Sequence, residues 1–179
     1  MTAPISPHTV GVVGSGTDEH DALARPIGEL LAQLGVNLLT GGGRGVMTAV
    51  SRAFVRHPRE RGISIGVIPC ASLADRRTSR AGYPNAFVEL AIRTHLPLSG
   101  DEGTGDLSRN HINVLSCDAL VALPGGPGTA SEVSLAVRYG KPIVVFAPAP
   151  ALVRHFPPSV DRFESLDRVR QFLRSHVGR

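Results

Sequence analysis

Arg109 and Glu132 are the two residues of this 179-residue sequence whose types together suggest a reaction centre. An arginine guanidinium can clamp a phosphate through two parallel hydrogen bonds. A carboxylate can stabilise an oxocarbenium-like centre or orient a water molecule, as in glycoside hydrolysis. Because 23 positions separate the two residues, they can act on one ligand only if the fold brings both side chains to one cleft.

Each of these residues also has a simpler interpretation. Thr129 and Glu132 have the T-x-x-E spacing of a capping box, in which the glutamate only stabilises the start of its own helix. Arg109 would then be an ordinary surface residue at the start of another helix. The sequence leaves both interpretations open.

Three glycine-rich turns can supply the rest of an anion-binding site. They are Gly14–Thr17, Thr40–Gly45 and Pro124–Thr129. Each follows an apolar run and opens a helical pattern, so its backbone N–H groups lie at a helix N-terminus, where the macrodipole favours negative charge. Glycine also lets the backbone approach an anion closely. We therefore predict a phosphate-bearing, nucleotide-like small molecule as the ligand; the alternative is that these segments are only tight turns.

Alternating apolar runs and helical patterns must position these residues. Strands that alternate with helices of ten or more residues indicate βαβ units and a parallel sheet with right-handed crossovers. The predicted strands are Thr9–Val13, Val36–Leu39, Ile63–Ile68, Phe87–Ile92, Ala119–Leu123 and Pro142–Phe146. The predicted helices are one that carries Ile27, Leu30, Leu31 and Leu34 and ends at Gly35, then about Val46–Val55, Leu107–Ser116, about Ala130–Tyr139, and Leu166–His176. The expected fold is α/β, a Rossmann-like parallel sheet flanked by helices on both faces.

This topology predicts where the charged pair lies. Arg109 is expected in the first turn of a helix that precedes a strand, and Glu132 in the first turn of the helix that follows the same strand. Both helix N-termini then lie at the carboxyl edge of the sheet, which is where open α/β sheets bind ligands. The segments Pro69–Pro84 and Leu98–Asp106 have no periodicity, and we interpret them as loops, the first of them mobile.

Length and composition indicate a single domain over residues 1–179 in a reducing compartment. The chain is 42% hydrophobic, which is enough for a core. No apolar run approaches the roughly 20 residues that cross a bilayer, so no membrane association is expected. The N-terminal MTAPISPH does not resemble a signal peptide, and Cys70 and Cys117 do not form a disulfide framework. We expect a cytoplasmic protein in which Cys117 is buried rather than nucleophilic.

Several other functional classes are disfavoured. The net charge is +4, but aromatic residues are only 4% and tryptophan is absent, so a base-stacking surface is poorly supplied and no nucleic-acid partner is expected. The cluster of Arg76, Arg77 and Arg80 keeps nucleic-acid binding open as an alternative. The seven histidines lack metal-ligand spacing, and Ser131 lacks a G-x-S-x-G elbow. We predict neither a metal site nor a serine hydrolase.

One nine-residue segment has a specific family resemblance. The segment Pro124–Glu132, PGGPGTASE, resembles the P-G-G-x-G-T-x-x-E signature of the Lonely Guy family, long mislabelled as lysine decarboxylases. Thr40–Met47 resembles the first glycine motif of that family, and Gly66–Pro69 its third strand. Arg109 stands at the spacing of the family's catalytic arginine. The resemblance covers roughly Val10 to Phe146.

The resemblance implies a homodimer of Rossmann-like subunits that hydrolyses the N-glycosidic bond of nucleoside 5′-monophosphates. The products would be a free base of adenine or cytokinin type and ribose 5-phosphate. Glu132 would be the catalytic carboxylate, Arg109 its partner, and no metal or organic cofactor would be needed. The implied substrate- and phosphate-binding residues are Gly14, Ser15, Gly16, Gly42, Gly43, Gly45, Met47, Asn110, Pro124, Gly125, Gly126, Gly128 and Thr129. Val133, Leu135, Ala136 and Val137 would add apolar surface for a dimer contact.

Three departures from the family pattern point to a second interpretation. Arg109 is followed by Asn110 rather than lysine, Ser131 stands where two consecutive acids are usual, and the first glycine motif is one residue shorter than in the small plant-type enzymes. The Arg-Asn pair and Ser131–Lys141 look closer to the molybdenum-cofactor carrier-like proteins, which bind a phosphorylated pterin. The alternative function is therefore a non-catalytic carrier or sensor of molybdenum cofactor or of a nucleotide.

Overall fold

Seven parallel strands form one sheet in the order β4-β3-β2-β1-β5-β6-β7. The structure, a computed structural model, describes residues 7–177, so the first six residues of the N-terminal segment MTAPISPH lie outside the described residues. The strands are β1 (Thr9–Val13), β2 (Asn37–Thr40), β3 (Ser64–Ile68), β4 (Leu90–Arg93), β5 (Ala119–Ala122), β6 (Ile143–Phe146) and β7 (Arg162–Phe163). The predicted parallel sheet is confirmed.

Helices cover the sheet on both faces, as predicted. They are α1 (Asp21–Leu34), α2 (Val46–Arg56), α3 (Asn110–Leu115), α4 (Pro127–Arg138) and α5 (Leu166–Val177). Helices α1, α2 and α5 share one apolar core with the sheet, and α3 and α4 share the other. The α1–α2 contact is close because Gly28 has no side chain: a Cβ there would lie 2.5 Å from the carbonyl oxygen of Val50.

The order of the strands reverses between β1 and β5. From β1 the chain adds β2, β3 and β4 on one side, and it then returns to place β5, β6 and β7 on the other. At such a switch point the connections leave in opposite directions, and a crevice opens at the carboxyl ends of the two central strands. Gly11 lies in the middle of β1, where a Cβ would be 2.6 Å from Cys117 Sγ. The fold therefore opens a crevice next to β1 and β5.

Two predicted elements begin later than the sequence indicated. Strand β4 starts at Leu90 rather than Phe87, because Asn85 forms a turn in which its side-chain oxygen accepts the Phe87 amide. Helix α3 starts at Asn110 rather than Leu107, because Ser108 instead forms an isolated bridge with Leu98. In both cases these interactions hold residues outside the element, although the apolar pattern alone favours a longer strand or helix.

Other differences concern short elements. Strand β7 and two 3₁₀ helices, Gly100–Glu102 and Pro150–Leu152, were not predicted, because two or three residues carry no periodic signal. Helix α4 begins at Pro127, three residues before the predicted start, since proline is suited to the first position of a helix. Pro69–Pro84 contains no helix or strand, as predicted, apart from one bridge between Cys70 and Ser79. Within residues 7–177 no helix is both long enough and apolar enough to cross a bilayer.

Candidate functional site

A cleft of about 330 Å³ opens at the carboxyl ends of β1 and β5. This volume lies at the lower end of the range for small-molecule sites. Its lining comes from the three glycine-rich turns, from the starts of α3 and α4, and from two loops that form its outer walls. The lining residues are Val12, Val13, Gly14, Ser15, Gly16, Thr17, Gly41, Met47, Tyr83, Ser99, Gly100, Arg109, Asn110, Gly126, Pro127, Gly128, Thr129 and Glu132.

Most of the site residues predicted from the sequence line this cleft, and the others do not. Those that line it are Gly14, Ser15, Gly16, Met47, Arg109, Asn110, Gly126, Gly128, Thr129 and Glu132. Those that do not are Gly42, Gly43, Gly45, Pro124 and Gly125. The second group belongs to the same turns and holds them together.

The second glycine turn uses its amides internally. The Gly42 N–H donates to Thr40 Oγ1 at 3.0 Å, and the Gly43 N–H donates to Met47 Sδ at 3.4 Å. Gly45 has φ +63°, and a Cβ there would lie 2.3 Å from the Ser15 carbonyl oxygen. These glycines therefore shape the turn and let it approach the first turn, and the amide groups of Gly42 and Gly43 are used within the turn.

Ser15 joins the three turns. Its N–H donates to the Pro124 carbonyl at 3.0 Å, and its carbonyl accepts the Val46 N–H at 2.9 Å. Its hydroxyl oxygen accepts the N–H groups of Thr17 and Asp18. Because all four interactions are within or between turns, the floor of the cleft is fixed before any ligand binds.

Arg109 is buried at the N-cap of α3, with 5% of its surface exposed. The interpretation of Arg109 as a surface residue is therefore wrong. Its guanidinium packs against Gly41, where a Cβ would lie 2.3 Å from Nη1. Arg109 Nε and Nη1 are buried and have no hydrogen-bond partner within residues 7–177. A buried donor without a partner is costly, so these N–H groups are the strongest sign that the cleft receives an acceptor-rich group.

Glu132 lies in the second turn of α4 rather than in the predicted first turn, because α4 begins at Pro127, and it is 8% exposed. Its Oε1 accepts a hydrogen bond of 2.8 Å from Asn113 Nδ2 in α3. Burial raises the pKa of the Glu132 carboxyl, while the Arg109 charge and the Asn113 hydrogen bond act in the opposite direction. The capping-box interpretation is wrong. Helix α4 begins at Pro127 and its N-cap is Gly126, so Thr129 is not in the N-cap position that a capping box requires.

Arg109 and Glu132 line one cleft, as the topology predicted, yet among the described residues no direct ion pair joins them. They act on each other through the field of their charges. An anion at the guanidinium and a neutral or cationic centre near the carboxylate would satisfy both groups. This arrangement suits a ligand with a phosphate at one end and a polar ring at the other.

The first turn of α4 adds backbone donors to the cleft. Gly126, Gly128 and Thr129 line it, and Pro127 occupies the first helical position. The N–H groups of a first turn have no intrahelical acceptor and carry the positive end of the helix dipole. Gly125 is required behind them, because a Cβ there would lie 2.1 Å from Thr129 Oγ1.

Sequence reasoning missed Asn113 and the outer walls of the cleft. Asn113 follows Arg109 by four positions, a helical spacing that places both on one face of α3, and this was the available signal. Tyr83, Ser99 and Gly100 lie in segments predicted as loops, and nothing in their pattern indicated that they reach the site. Their positions depend on tertiary contacts.

The structure confirms the predicted burial of Cys117 and contradicts most of the predicted dimer surface. Cys117 is 1% exposed, as predicted, and burial raises the pKa of its thiol to about 12. Val133, Leu135 and Ala136 are buried in the core of the chain itself, so they offer no dimer surface, and only Val137 of that set is exposed. In the described part of the chain no three histidine, cysteine or acidic residues are grouped to hold a metal ion.

Comparisons with known proteins agree with this geometry. The sequence model of the SLOG cluster4 family matches residues 7–172. The structure is similar to the molybdenum cofactor binding protein of Rippkaea orientalis, with 28% identity over 96% of this chain and 98% of that chain and a TM-score of 0.73. It is also similar to the molybdenum cofactor carrier protein of Chlamydomonas reinhardtii, with 27% identity over 97% and 99% of the chains and a TM-score of 0.70. An uncharacterized protein of Archaeoglobus fulgidus is 30% identical over 141 residues, 78% of this chain and 80% of that protein.

Proposed function

The chain belongs to the SLOG cluster4 family, and from this premise we propose that its cleft binds a phosphorylated pterin, the molybdenum cofactor or its phosphopterin part, and carries it without turnover. The family membership and the structural neighbours confirm the resemblance drawn from the Pro124–Glu132 signature, to Lonely Guy-like and molybdenum-cofactor carrier-like proteins alike.

The unpaired guanidinium of Arg109 carries this proposal. Its Nε and Nη1 are buried without an acceptor, at a cleft that also receives the first turn of α4. A phosphate monoester supplies several acceptor oxygens and a negative charge, and charge-assisted hydrogen bonds to it are the strong ones. The phosphate of the ligand would therefore lie between Arg109 and the start of α4.

The names of two neighbours at 27–28% identity support a pterin as the rest of the ligand. Their names describe molybdenum cofactor binding and carrying, and each alignment covers nearly all of both chains. The Arg109-Asn110 pair that separates this sequence from the usual enzyme motif lines the cleft. A polar ring held beside Asn110 and Glu132 would find a donor and an acceptor on the Asn110 amide and acceptor oxygens on the Glu132 carboxylate.

Mass spectrometry of the ligand extracted from natively purified protein tests the proposal. We expect an intact phosphorylated pterin that is present in the wild-type protein and absent from an Arg109→Met variant. The matched control is Arg138→Met, because Arg138 lies in α4 away from the cleft, with its guanidinium over the Tyr139 ring. An extract that contains no phosphorylated pterin, or the same amount from both variants, would contradict it.

A second candidate, nucleoside 5′-monophosphate phosphoribohydrolase activity, is favoured by the position of Glu132. Asn113 fixes one oxygen of this carboxylate, and Arg109 lies close enough to influence its charge. An oriented carboxylate is what the stabilisation of an oxocarbenium-like centre requires. On this reading the same phosphate position would present the N-glycosidic bond to Glu132.

Release of free base from a panel of nucleoside monophosphates distinguishes the two candidates. An enzyme should release base, and Glu132→Gln should reduce the rate by roughly 10²–10⁴-fold. The control Glu164→Gln changes an exposed carboxylate that pairs with Arg162. No release at high protein concentration would remove the hydrolase, whereas release that depends on Glu132 would remove the passive carrier.

We also propose that the protein is a homodimer and that it is cytoplasmic. Leu90 and Ile92 of β4 are exposed by 46% and 42%, and Ile65 of β3 lies beside Leu90 in register. We propose this apolar face as the dimer contact. Light scattering at micromolar concentration should give a dimer that Leu90→Glu dissociates and Leu152→Glu, an equally exposed leucine elsewhere, does not. A wild-type monomer would contradict the proposed dimer.

The free cysteines fit the reducing compartment that a cytoplasmic location would provide.

A further inference from the structure

Arg80 joins the two loops that wall the cleft. One wall carries Tyr83 and the other carries Ser99 and Gly100, and all three residues line the cleft. We propose that Ser99 is a ligand-contacting hydrogen-bond donor, and that Arg80 is the positioning residue that fixes the direction of its hydroxyl. This inference rests on the proposed ligand site and adds a contact that neither the signature motif nor the glycine turns include.

The contacts of Arg80 span both walls. Its Nη1 donates to Ser99 Oγ at 2.8 Å, and its Nη2 donates to the Pro97 carbonyl at 2.6 Å. Its backbone N–H donates to the Pro69 carbonyl, and its own carbonyl accepts the Tyr83 N–H. The planar guanidinium therefore holds Ser99 and Pro97 at one time, and its backbone fixes the turn that carries Tyr83.

The chemistry of the two groups determines what Ser99 can offer. A guanidinium has only donors, so Ser99 Oγ must be the acceptor of the bond from Arg80. The hydroxyl proton of Ser99 is then free to donate to another acceptor. Because Ser99 lines the cleft, that acceptor belongs to the ring part of a bound molecule, either a carbonyl oxygen or a ring nitrogen.

The opposite end of the same wall is fixed to the helices. The Ser131 hydroxyl lies 3.0 Å from the Gly100 carbonyl, to which it donates. The His111 ring Nε2 lies 3.0 Å from the Gly105 carbonyl. Gly103 lies where a Cβ would be 2.7 Å from Asn110 Nδ2. With both ends held, Ser99 is in place before binding, and little conformational entropy is lost when the ligand arrives.

Arg109 and Ser99 therefore recognise different parts of the ligand. Arg109 provides the charged donors for a phosphate, and Ser99 provides one neutral donor on an outer wall of the cleft. A ligand that carries only a phosphate would use the first and not the second. A ligand with a phosphate and an acceptor-bearing ring would use both, which agrees with a phosphopterin.

Calorimetric titration with two probes, inorganic phosphate and 6-hydroxymethylpterin monophosphate, tests the inference on the full-length protein. We expect Ser99→Ala to weaken phosphopterin binding by about three- to tenfold and to leave phosphate binding unchanged, as the loss of one hydrogen bond predicts. Arg80→Met should give a similar loss. The double variant should be no weaker than the weaker single variant, since Arg80 acts through Ser99.

The control is Arg76→Met, an exposed arginine of the same segment whose Nε donates to the nearby Leu73 carbonyl. It should bind both probes as the wild type does. Unchanged phosphopterin affinity in Ser99→Ala overturns the role of Ser99 whether or not Arg80→Met folds well. Additive losses in the double variant overturn the positioning role of Arg80. A wild-type protein that binds neither probe overturns the proposed function as well, which separates the two failures.

Discussion

Arg52 and Arg109 lie beside two different cavities of the same molecule and have opposite environments. Arg52 of α2 bonds two carboxylates, with distances of 2.7 Å to Glu19 and 3.0 Å to Asp21, and its side chain is 27% exposed. Hydrogen bonding to Glu19 raises the pKa of Arg52. Arg109 is 5% exposed and leaves two donors without a partner.

The cavity between α1 and α2, about 210 Å³, is lined in part by three arginines that already have partners. Arg25 pairs with Asp21, Arg52 with two acids, and Arg56 lies over the Phe87 ring. A ligand would have to break these contacts and would gain little. The comparison shows that a charged cavity indicates a binding site when its buried donors lack acceptors, and that the number of charges is not the criterion.

The largest expected effect is the loss of ligand from Arg109→Met. This variant keeps an unbranched apolar stem and removes the unpaired donors. Because hydrogen bonds between charged groups contribute about 1.5–3 kcal/mol, phosphopterin affinity should fall by about 100-fold. Titration calorimetry measures this loss. If Arg109→Met bound the probe as tightly as the wild type, the cleft around Arg109 would not be the phosphate site.

The sequence predicts the environment of Arg109 better than that of Arg52, and the difference lies in which contacts set each environment. Arg109 and Glu132 were placed at one edge of the sheet by topology alone, because the alternation of strands and helices fixes at which edge of the sheet each helix begins, even where its first residue is misplaced. The pairing of Arg52 with Glu19 and Asp21 depends on how α1 packs on α2, and no local pattern encodes it.

The outer walls of the cleft show the same limit. Ser99 reaches the cleft because Arg80 bonds it across 19 positions, and Tyr83 because its ring packs on Gly43. Both segments lack periodicity, so the sequence indicated loops and nothing more. The start of β4 was misplaced for a related reason, since a single Asn85 turn outweighs the alternation from Phe87 onwards.

The second effect tests the contact that positions Arg109. Gly41→Ala would place a Cβ 2.3 Å from Nη1 and displace the guanidinium. We expect about a tenfold loss of phosphopterin affinity, or roughly 1.4 kcal/mol, with the fold retained. The matched control is Gly126→Ala, at a cleft position where a Cβ meets nothing within 4 Å. Equal losses in the two variants would mean that any added methyl group obstructs the cleft, and the argument from Arg109 would fail.

The third effect concerns Glu132 and the pH dependence of stability. Burial raises the pKa of this carboxyl in the folded protein above its value in the unfolded chain. Between these two pKa values the folded state binds more protons, so its contribution to the free energy of unfolding falls as the pH rises. Glu132→Gln does not ionise and keeps an acceptor for Asn113. It should be more stable than the wild type at pH 8, by about 1 kcal/mol, and lose this advantage towards pH 4.

Denaturant unfolding at a series of pH values measures this difference. The unfolding free energies of wild type and variant are subtracted at each pH, which removes the titration of groups that the two proteins share. The exposed Glu164→Gln serves as the control and should change the free energy by a few tenths of a kcal/mol. An advantage of Glu132→Gln that does not vary with pH would show that the buried carboxylate is not the cause.

The smallest expected effect is that of Arg52→Met, and it tests the other side of the comparison. Removing this guanidinium leaves Glu19 and Asp21 exposed to water, where they are readily solvated, so the loss of stability should be below about 1 kcal/mol and should shrink in high salt. Phosphopterin affinity should be unchanged, because the arginines that line the cavity between α1 and α2 do not line the cleft. Thermal unfolding at low and high salt, together with titration of the probe, measures both quantities. A marked loss of binding in Arg52→Met would mean that paired surface charges contribute to recognition, and the distinction between the two arginines would then have to rest on burial alone.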